Sequence, residues 1–158
     1  MKTNLQLDKY LKSKKTIAPF EGVFPSNKLP NVPKNHNFCL VANYDPSNKQ
    51  GSHWVALAVI DGKALWFDSY GMKPDASDLI LNDKTNFTQY LKKYSNTIDY
   101  NKIDYQQVNT DVCGLYACYF CLYGLPENNI KAWNWASNNK KQNDAQIERL
   151  VAVPLILS

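Results

Sequence analysis

The clearest hydrophobic pattern in the chain is a pair of strand-like runs separated by Asp61 and Gly62. Residues 54–60 (WVALAVI) and 63–67 (KALWF) are rich in β-branched and aromatic side chains. Asp-Gly favours a two-residue hairpin turn, so the pattern predicts a β-hairpin. If the turn contains only these two residues, Ile60 pairs with Lys63. Counting back along both strands then places His53 opposite Tyr70.

The other periodic segments predict a mixture of further strands and helices. Residues 38–44 (FCLVANY) are a predicted strand that pairs with the hairpin, and residues 97–105 (TIDYNKIDY) are another. Helices are predicted for residues 4–12, 84–94 and 143–153, and the apolar run 115–124 is typical of a buried helix. The apolar positions of the first three helices are Leu5, Leu7 and Leu11; Phe87, Tyr90, Leu91 and Tyr94; and Ile147, Leu150 and Val151. The elements predict an α+β fold with a central mixed or antiparallel sheet.

Length and composition favour one globular domain, residues 1–158, with no need of a disulfide or metal to fold. No apolar run reaches the roughly 18 residues of a membrane-spanning helix, and the N-terminus has no apolar core of the signal-peptide kind. We therefore expect an intracellular location without a membrane partner. Thiols stay reduced there, which argues against disulfides.

Three of the four cysteines lie close together, in the stretch DVCGLYACYFC. Cys118 and Cys121 form a C-x-x-C pair, but this pair lies inside the buried-helix pattern, and a zinc site needs two further ligands. We expect no metal site, and we interpret both thiols as small buried hydrophobic groups.

Cys113 has a different setting, at the start of this predicted helix. Asn109, Thr110 and Asp111 precede it and are residue types that cap helix N-termini. Unpaired backbone N–H groups and the helix dipole would favour the thiolate there, which is the nucleophilic form. Gly114 leaves space beside the sulfur. The sequence therefore predicts Cys113 as a nucleophile.

A nucleophilic thiol needs a base, and the chain offers His36 and His53. His36 lies in a polar segment that is typical of a surface. His53 begins the hairpin, and its predicted diagonal neighbour on the same sheet face is Asp68, within reach of an imidazole. Such an aspartate fixes the imidazole's orientation and stabilises the imidazolium. Donors for an oxyanion would be the Cys113 N–H and a side-chain amide from Gln106 or Gln107.

These motifs resemble the clan of cysteine peptidases that contains adenain and the SUMO proteases. The features are "HW" followed by an apolar strand, then "FDSYG", then "Q…N…CG", in the order His, Asp, Cys. The segments "PFEGVFPSN" and "VANYDPSNKQGSHW" are similar to the adenain branch, the maturation proteases of adenovirus, virophages and Polinton-like elements.

The resemblance implies a papain-like arrangement with Cys113 as nucleophile, His53 as general base and acid, and Asp68 orienting His53. It places the oxyanion glutamine seven residues before the cysteine in the adenain branch, which selects Gln106, and six before in the SUMO-protease branch, which selects Gln107. The similarity of the N-terminal segment to adenain favours Gln106, with Gln107 as the alternative. It also implies that Trp54 lines a narrow slot suited to glycine-containing substrates; core packing of Trp54 is compatible with this role.

The implied function is a viral endopeptidase, a monomer in the virion or the host cell interior, which cleaves capsid or core precursors at small-residue sites. The alternative is an isopeptidase that removes ubiquitin-like modifiers. Adenain is stimulated by a peptide disulfide-bonded to a cysteine between the Asp and the catalytic Cys. This chain has no cysteine between Cys39 and Cys113, so no activator attached in that way is expected. The net charge of +4 is compatible with weak DNA binding or with a solvated basic face.

Overall fold

Five strands form a mixed sheet in the part of the chain that is described. The structure, a computed structural model, describes residues 4–44, 53–75, 87–108 and 110–157. The strands are β1 (Phe20–Pro25), β2 (Phe38–Asn43), β3 (Trp54–Ile60), β4 (Lys63–Phe67) and β5 (Ile98–Tyr100), and they lie in that order across the sheet. The central strand β3 is antiparallel to both β2 and β4, whereas β1 is parallel to β2 and β5 is parallel to β4.

Helices cover both faces of this sheet. They are α1 (Asn4–Lys12), α2 (Phe87–Lys92), α3 (Cys113–Tyr123), α4 (Lys140–Ile147) and α5 (Val153–Leu157), with a 3₁₀ turn at Pro126–Asn128 and a π-helical turn at Glu148–Ala152 that joins α4 to α5. The predicted α+β class with a mixed sheet and a buried cysteine-bearing helix is confirmed.

The strand side chains alternate between two hydrophobic cores, as strand geometry requires. Ala56, Ala58 and Phe67 point to the face that packs on α1, α3 and α5. Leu57 and Trp66 point to the opposite face, which α2 covers. Because β2 and β3 are central and covered on both sides, nearly all their residues are buried, which explains their continuous apolar sequence.

The helix α3 is buried between the sheet and the terminal helices. From Cys113 to Cys121 every residue is buried, so its sequence is apolar all round rather than amphipathic. It ends at Gly124, where φ is +84° and the backbone N–H donates to the carbonyl of Phe120. This left-handed conformation favours glycine.

Several details differ from the sequence predictions. Leu5 is 80% exposed and Tyr10 takes its expected place in the core, because Leu7, Tyr10 and Leu11 share one helix face and Leu5 lies on the opposite side. Leu150 is also exposed, since the π-helical turn rotates it away from Ile147 and Val151. Of the predicted strand 97–105, only Ile98–Tyr100 pairs with β4, and the rest forms a loop. Of the predicted helix 84–94, the helical part is Phe87–Lys92, and residues 84–86 lie outside the described range.

Candidate active site

The β3–β4 hairpin has the register that the sequence predicts. Ile60 pairs with Lys63 and Ala56 with Phe67. Asp61 and Gly62 form the turn with φ of +51° and +77°, the left-handed conformation that this tight turn needs. Beyond the last ladder pair, the rings of His53 and Tyr70 stack with their centroids 4.7 Å apart.

The predicted register brings His53 and Asp68 together. His53 Nε2 and Asp68 Oδ1 are 2.9 Å apart, and the two residues are 8% and 0% exposed. A one-residue slip would have placed the side chains on opposite faces of the sheet. The sequence prediction of a diagonal His–Asp contact therefore agrees with the geometry.

Asp68 is held by donors that the sequence did not single out. Tyr44 donates its hydroxyl to Oδ2 at 2.6 Å, and the backbone N–H of Tyr70 donates to Oδ1 at 2.9 Å. The side chain of Asn101 accepts from the N–H of Asp68 at 3.1 Å and donates to its carbonyl at 2.7 Å. The carboxylate and its backbone are thus fixed from three separate segments.

Cys113 lies at the start of α3, next to the first residue of β3. The backbone N–H of Trp54 points at the Cys113 sulfur at 3.4 Å, and Cys113 is 4% exposed. The predicted side-chain cap is wrong for the described residues: Val112 is the N-cap and no side chain caps the helix. The hydroxyl of Thr110 is engaged within the preceding loop instead. Asn109 lies outside the described range.

His53 interacts with both Asp68 and Cys113. Burial is the largest single influence and lowers the imidazole pKa, but hydrogen bonds and charge attraction from Asp68 and Cys113 outweigh it and raise the pKa of His53 to about 9. Since Nε2 faces Asp68, the ring nitrogen left for the thiol is Nδ1. The raised pKa favours the imidazolium form of His53, and this positive charge would lie beside the Cys113 sulfur.

The two glutamines before Cys113 have different settings in the Gln loop, defined as residues 104–108 and 110–112. Gln106 is 0% exposed, and its carbonyl oxygen accepts the hydroxyl of Ser69. Its amide nitrogen lies 3.0 Å from the carbonyl and 3.1 Å from the hydroxyl of Thr110. Gln107 is only partly buried, and its backbone N–H donates to Asp144 at 3.2 Å. Of the two side chains, Gln106 is the one fixed inside the protein beside the turn that leads to Cys113.

The two predicted substrate-binding residues flank the sulfur. Trp54 is 5% exposed, and its indole N–H is buried without a hydrogen-bond partner in the structure. Gly114 is the second residue of α3 and is buried. The indole N–H of Trp54 is therefore a buried donor without an acceptor among the described residues.

The remaining cysteines are buried structural thiols. Cys39, Cys118 and Cys121 are each 0% exposed, and all four cysteines of the chain are free. Burial raises the pKa of Cys118 to about 12. A hydrogen bond to Cys121 lowers the pKa of Cys39, but Cys39 is completely buried, so its thiol is not accessible to solvent. No group of three or more His, Cys, Asp or Glu side chains within the described ranges is arranged to hold a metal ion.

The arrangement has the parts that acyl transfer through a thiol requires. A thiol with a neighbouring imidazolium, a carboxylate that orients the imidazole and a helix N-terminus meet at one end of the sheet. His36, the other histidine, is exposed at the opposite end of β3, near Asp61 and Gly62.

The chain is similar in sequence to a viral protein that is named as a thiol protease. The chain is 39% identical over 98 residues to R355, a predicted thiol protease of Acanthamoeba polyphaga mimivirus; the match covers 57% of this chain and 32% of that protein. The chain thus matches about a third of the length of this relative. No protein-family model matches the sequence.

A solved structure of low sequence identity shares the fold. The central domain of Lpg1148 from Legionella pneumophila aligns with 100% of this chain and 99% of its own, with a TM-score of 0.53 and 12% identity. The pS273R protease of ASFV aligns with 96% of this chain and 68% of its own, with a TM-score of 0.46 and 18% identity. No helix in the described ranges is long and apolar enough to cross a membrane.

Proposed function

We propose that this chain is a cysteine endopeptidase in which Cys113 is the nucleophile, His53 the general base and acid, and Asp68 the residue that orients His53. The observation that carries the proposal is the position of His53, whose Nε2 lies 2.9 Å from buried Asp68 while its other side meets Cys113. The sequence match to a viral thiol protease supports the same chemistry.

The reaction begins with the Cys113 thiolate and the His53 imidazolium. The sulfur attacks the scissile carbonyl carbon, and the electron pair of the carbonyl bond moves to oxygen. As the tetrahedral intermediate collapses, His53 gives its proton to the leaving amine and a thioester remains. Neutral His53 then takes a proton from water, whose oxygen attacks the thioester and releases the acid and the thiolate. Asp68 stabilises the imidazolium at each step in which it forms.

The oxyanion binds to the backbone N–H of Cys113 and the amide of Gln106. The buried, fixed amide of Gln106 supports this assignment over the partly exposed Gln107. Donors that are already oriented before the charge develops give the largest electrostatic gain. The Trp54 indole N–H and the absent side chain of Gly114 suit a substrate backbone with small residues at the scissile bond.

The substrates we propose are viral capsid or core precursors cleaved at glycine-containing sites during virion maturation. The test incubates the wild type and Cys113→Ala with the capsid precursors encoded alongside this gene and, separately, with ubiquitin-like fusions ending in Gly-Gly. Cleavage of the precursors by the wild type only is the expected result. Cleavage of the modifier fusions alone would favour an isopeptidase, and cleavage that persists in Cys113→Ala would refute the nucleophile assignment.

The same assay tests activation. Adding a short double-stranded DNA to the wild type tests whether the net charge of +4 concentrates enzyme and substrate on nucleic acid, and the effect should disappear at high salt. A rate that is unchanged by DNA at low salt would assign the basic residues to solvation alone.

A further inference from the structure

A second buried carboxylate, Asp144 of α4, lies outside the triad. It is 7% exposed and belongs to the C-terminal part of the chain, for which the sequence predicted only packing. Oδ1 accepts the hydroxyl of Tyr116 at 2.8 Å. Oδ2 accepts the backbone N–H of Gln107 and the hydroxyl of Thr110, each at 3.2 Å. These donors are all neutral groups, so among the described residues the side chain of Asp144 is held by hydrogen bonds.

The three donors connect the two sides of the candidate oxyanion site. Gln107 and Thr110 belong to the Gln loop, and Tyr116 is one turn after Cys113 on α3. Burial and the hydrogen bond to Asp144 raise the pKa of Tyr116, so its hydroxyl keeps its proton and remains a donor. Asp144 therefore joins the Gln loop to the helix that carries the sulfur.

The hydroxyl of Thr110 contacts both Asp144 and the amide of Gln106. A threonine hydroxyl has one proton and two lone pairs. When its proton points to Asp144, the lone pairs face the Gln106 amide nitrogen, which is 3.1 Å away. Without the carboxylate, the proton has another acceptor in the carbonyl of Gln107 at 3.0 Å, and the hydroxyl would rotate. The orientation of the Gln106 amide thus depends on Asp144 through one intervening hydroxyl.

Two neighbours on α4 hold the start of the same loop. The amide of Asn143, which is 0% exposed, donates to the carbonyl of Tyr105 at 3.2 Å. Lys140 forms an ion pair with Asp104 at 2.7 Å. Polar side chains of α4 therefore contact the Gln loop from its first residue to Thr110. A helix that only covered the core would not need a buried charge at this place, because burying one is costly.

We propose that Asp144 is a positioning residue that sets the Gln106 amide for the oxyanion, so that α4 is part of the catalytic apparatus. This role rests on the proposed cysteine-peptidase function.

The test compares Asp144→Asn, Thr110→Val, the double variant and the wild type. A peptidyl-Gly-Gly coumarin amide gives kcat and KM. A peptidyl-Gly-Gly aldehyde gives the affinity of a hemithioacetal that uses the same donors. Iodoacetamide gives the alkylation rate of Cys113, a substitution that develops no oxyanion. Tyr90→Phe is the control for stability, because it removes the 2.6 Å bond from the Tyr90 hydroxyl to the carbonyl of Pro30 on the opposite face of the sheet and touches neither α4 nor the Gln loop.

We expect Asp144→Asn to lower kcat and aldehyde affinity by about tenfold, with KM and the alkylation rate within about threefold of wild type. Since both residues act through one hydroxyl, the double variant should lose no more than the more damaging single variant. Tyr90→Phe should lower the melting temperature and leave kcat unchanged.

Three results would overturn the role of Asp144. They are a wild-type kcat in Asp144→Asn, additive losses in the double variant, and an equal fall of kcat and alkylation rate, which indicates general unfolding. The proposed function itself would be refuted if the wild type does not cleave the coumarin amide, does not bind the aldehyde and is not alkylated at Cys113.

Discussion

Replacing Asp68 with asparagine removes one charge from the buried His53 site while nearly preserving the side chain's shape. In the wild type the pKa of His53 is raised from its ordinary 6.5 to about 9 against the opposing effect of burial. Loss of the carboxylate charge in contact with His53 should lower the pKa of the imidazole by about 1 to 3 units. The imidazolium then loses this attraction, while burial still disfavours its charge. At 1.36 kcal/mol per unit, this corresponds to about 1.4 to 4 kcal/mol of lost interaction.

This change has a defined dependence on pH. A group whose pKa is higher in the folded state stabilises the fold fully below its unfolded pKa, here 6.5. That contribution is lost as the pH rises through about 9. The difference in unfolding free energy between wild type and Asp68→Asn should therefore be largest below pH 6.5 and shrink towards pH 9. Because asparagine keeps only one acceptor oxygen, the variant also loses the hydrogen bond from either Tyr44 or Tyr70, and this loss of stability does not vary with pH.

The assay is an NMR titration of the His53 ring proton, assigned with His36→Gln, together with urea unfolding across the same pH range. We also expect kcat to fall by about 10²–10⁴-fold, the usual contribution of general acid–base catalysis. Asp99→Asn on β5 is the control, since Asp99 is exposed. An unchanged His53 titration in Asp68→Asn, or a free-energy difference that grows towards pH 9, would refute the reasoning.

Three further predictions follow from packing and burial. Tyr44→Phe removes the 2.6 Å bond to Asp68 and should cost about 1–3 kcal/mol, measured by urea unfolding, with a severalfold lower kcat; full stability would show that Asp68 does not need this donor. Phe67→Ala should cost about 3–5 kcal/mol, because Phe67 is 0% exposed and stacks on a ring of α3; a loss under about 1 kcal/mol would contradict this packing. Iodoacetamide at neutral pH should modify Cys113 before the three fully buried thiols, as followed by mass spectrometry; prior labelling of Cys118 would contradict the described burial.

The hairpin half of the candidate site was predictable because its geometry is local. Asp61 and Gly62 determine the turn, the turn determines the register, and the register makes His53 and Asp68 diagonal neighbours. Each step follows from residues fewer than twenty apart. The burial of β3 on both faces was likewise visible as an uninterrupted apolar sequence.

The supports of the site were not predictable, because they come from distant segments. Tyr44, Asn101 and Asp144 are ordinary polar residues in the sequence, and nothing local marks them as partners of the site. They are buried only because β2, the loop after β5 and α4 meet at the same end of the sheet. The helix cap failed for the same reason, since Thr110 has closer partners in the tertiary structure than the backbone of α3.

Because the hairpin contacts are local and the contacts of Gln106 are not, structural damage can affect the two parts of the site separately. The His53–Asp68 pair depends on the hairpin, whose contacts are formed within one continuous segment. The orientation of Gln106 depends on Thr110 and, through it, on α4, which lies almost forty residues further along the chain. Loosening of the C-terminal helices would therefore leave the imidazolium and the thiol in place while the oxyanion donor loses its orientation. A protein damaged in this way would still be alkylated at Cys113, because alkylation needs no oxyanion donor. It would turn over substrate slowly, because the Gln106 amide that stabilises the tetrahedral intermediate is no longer oriented.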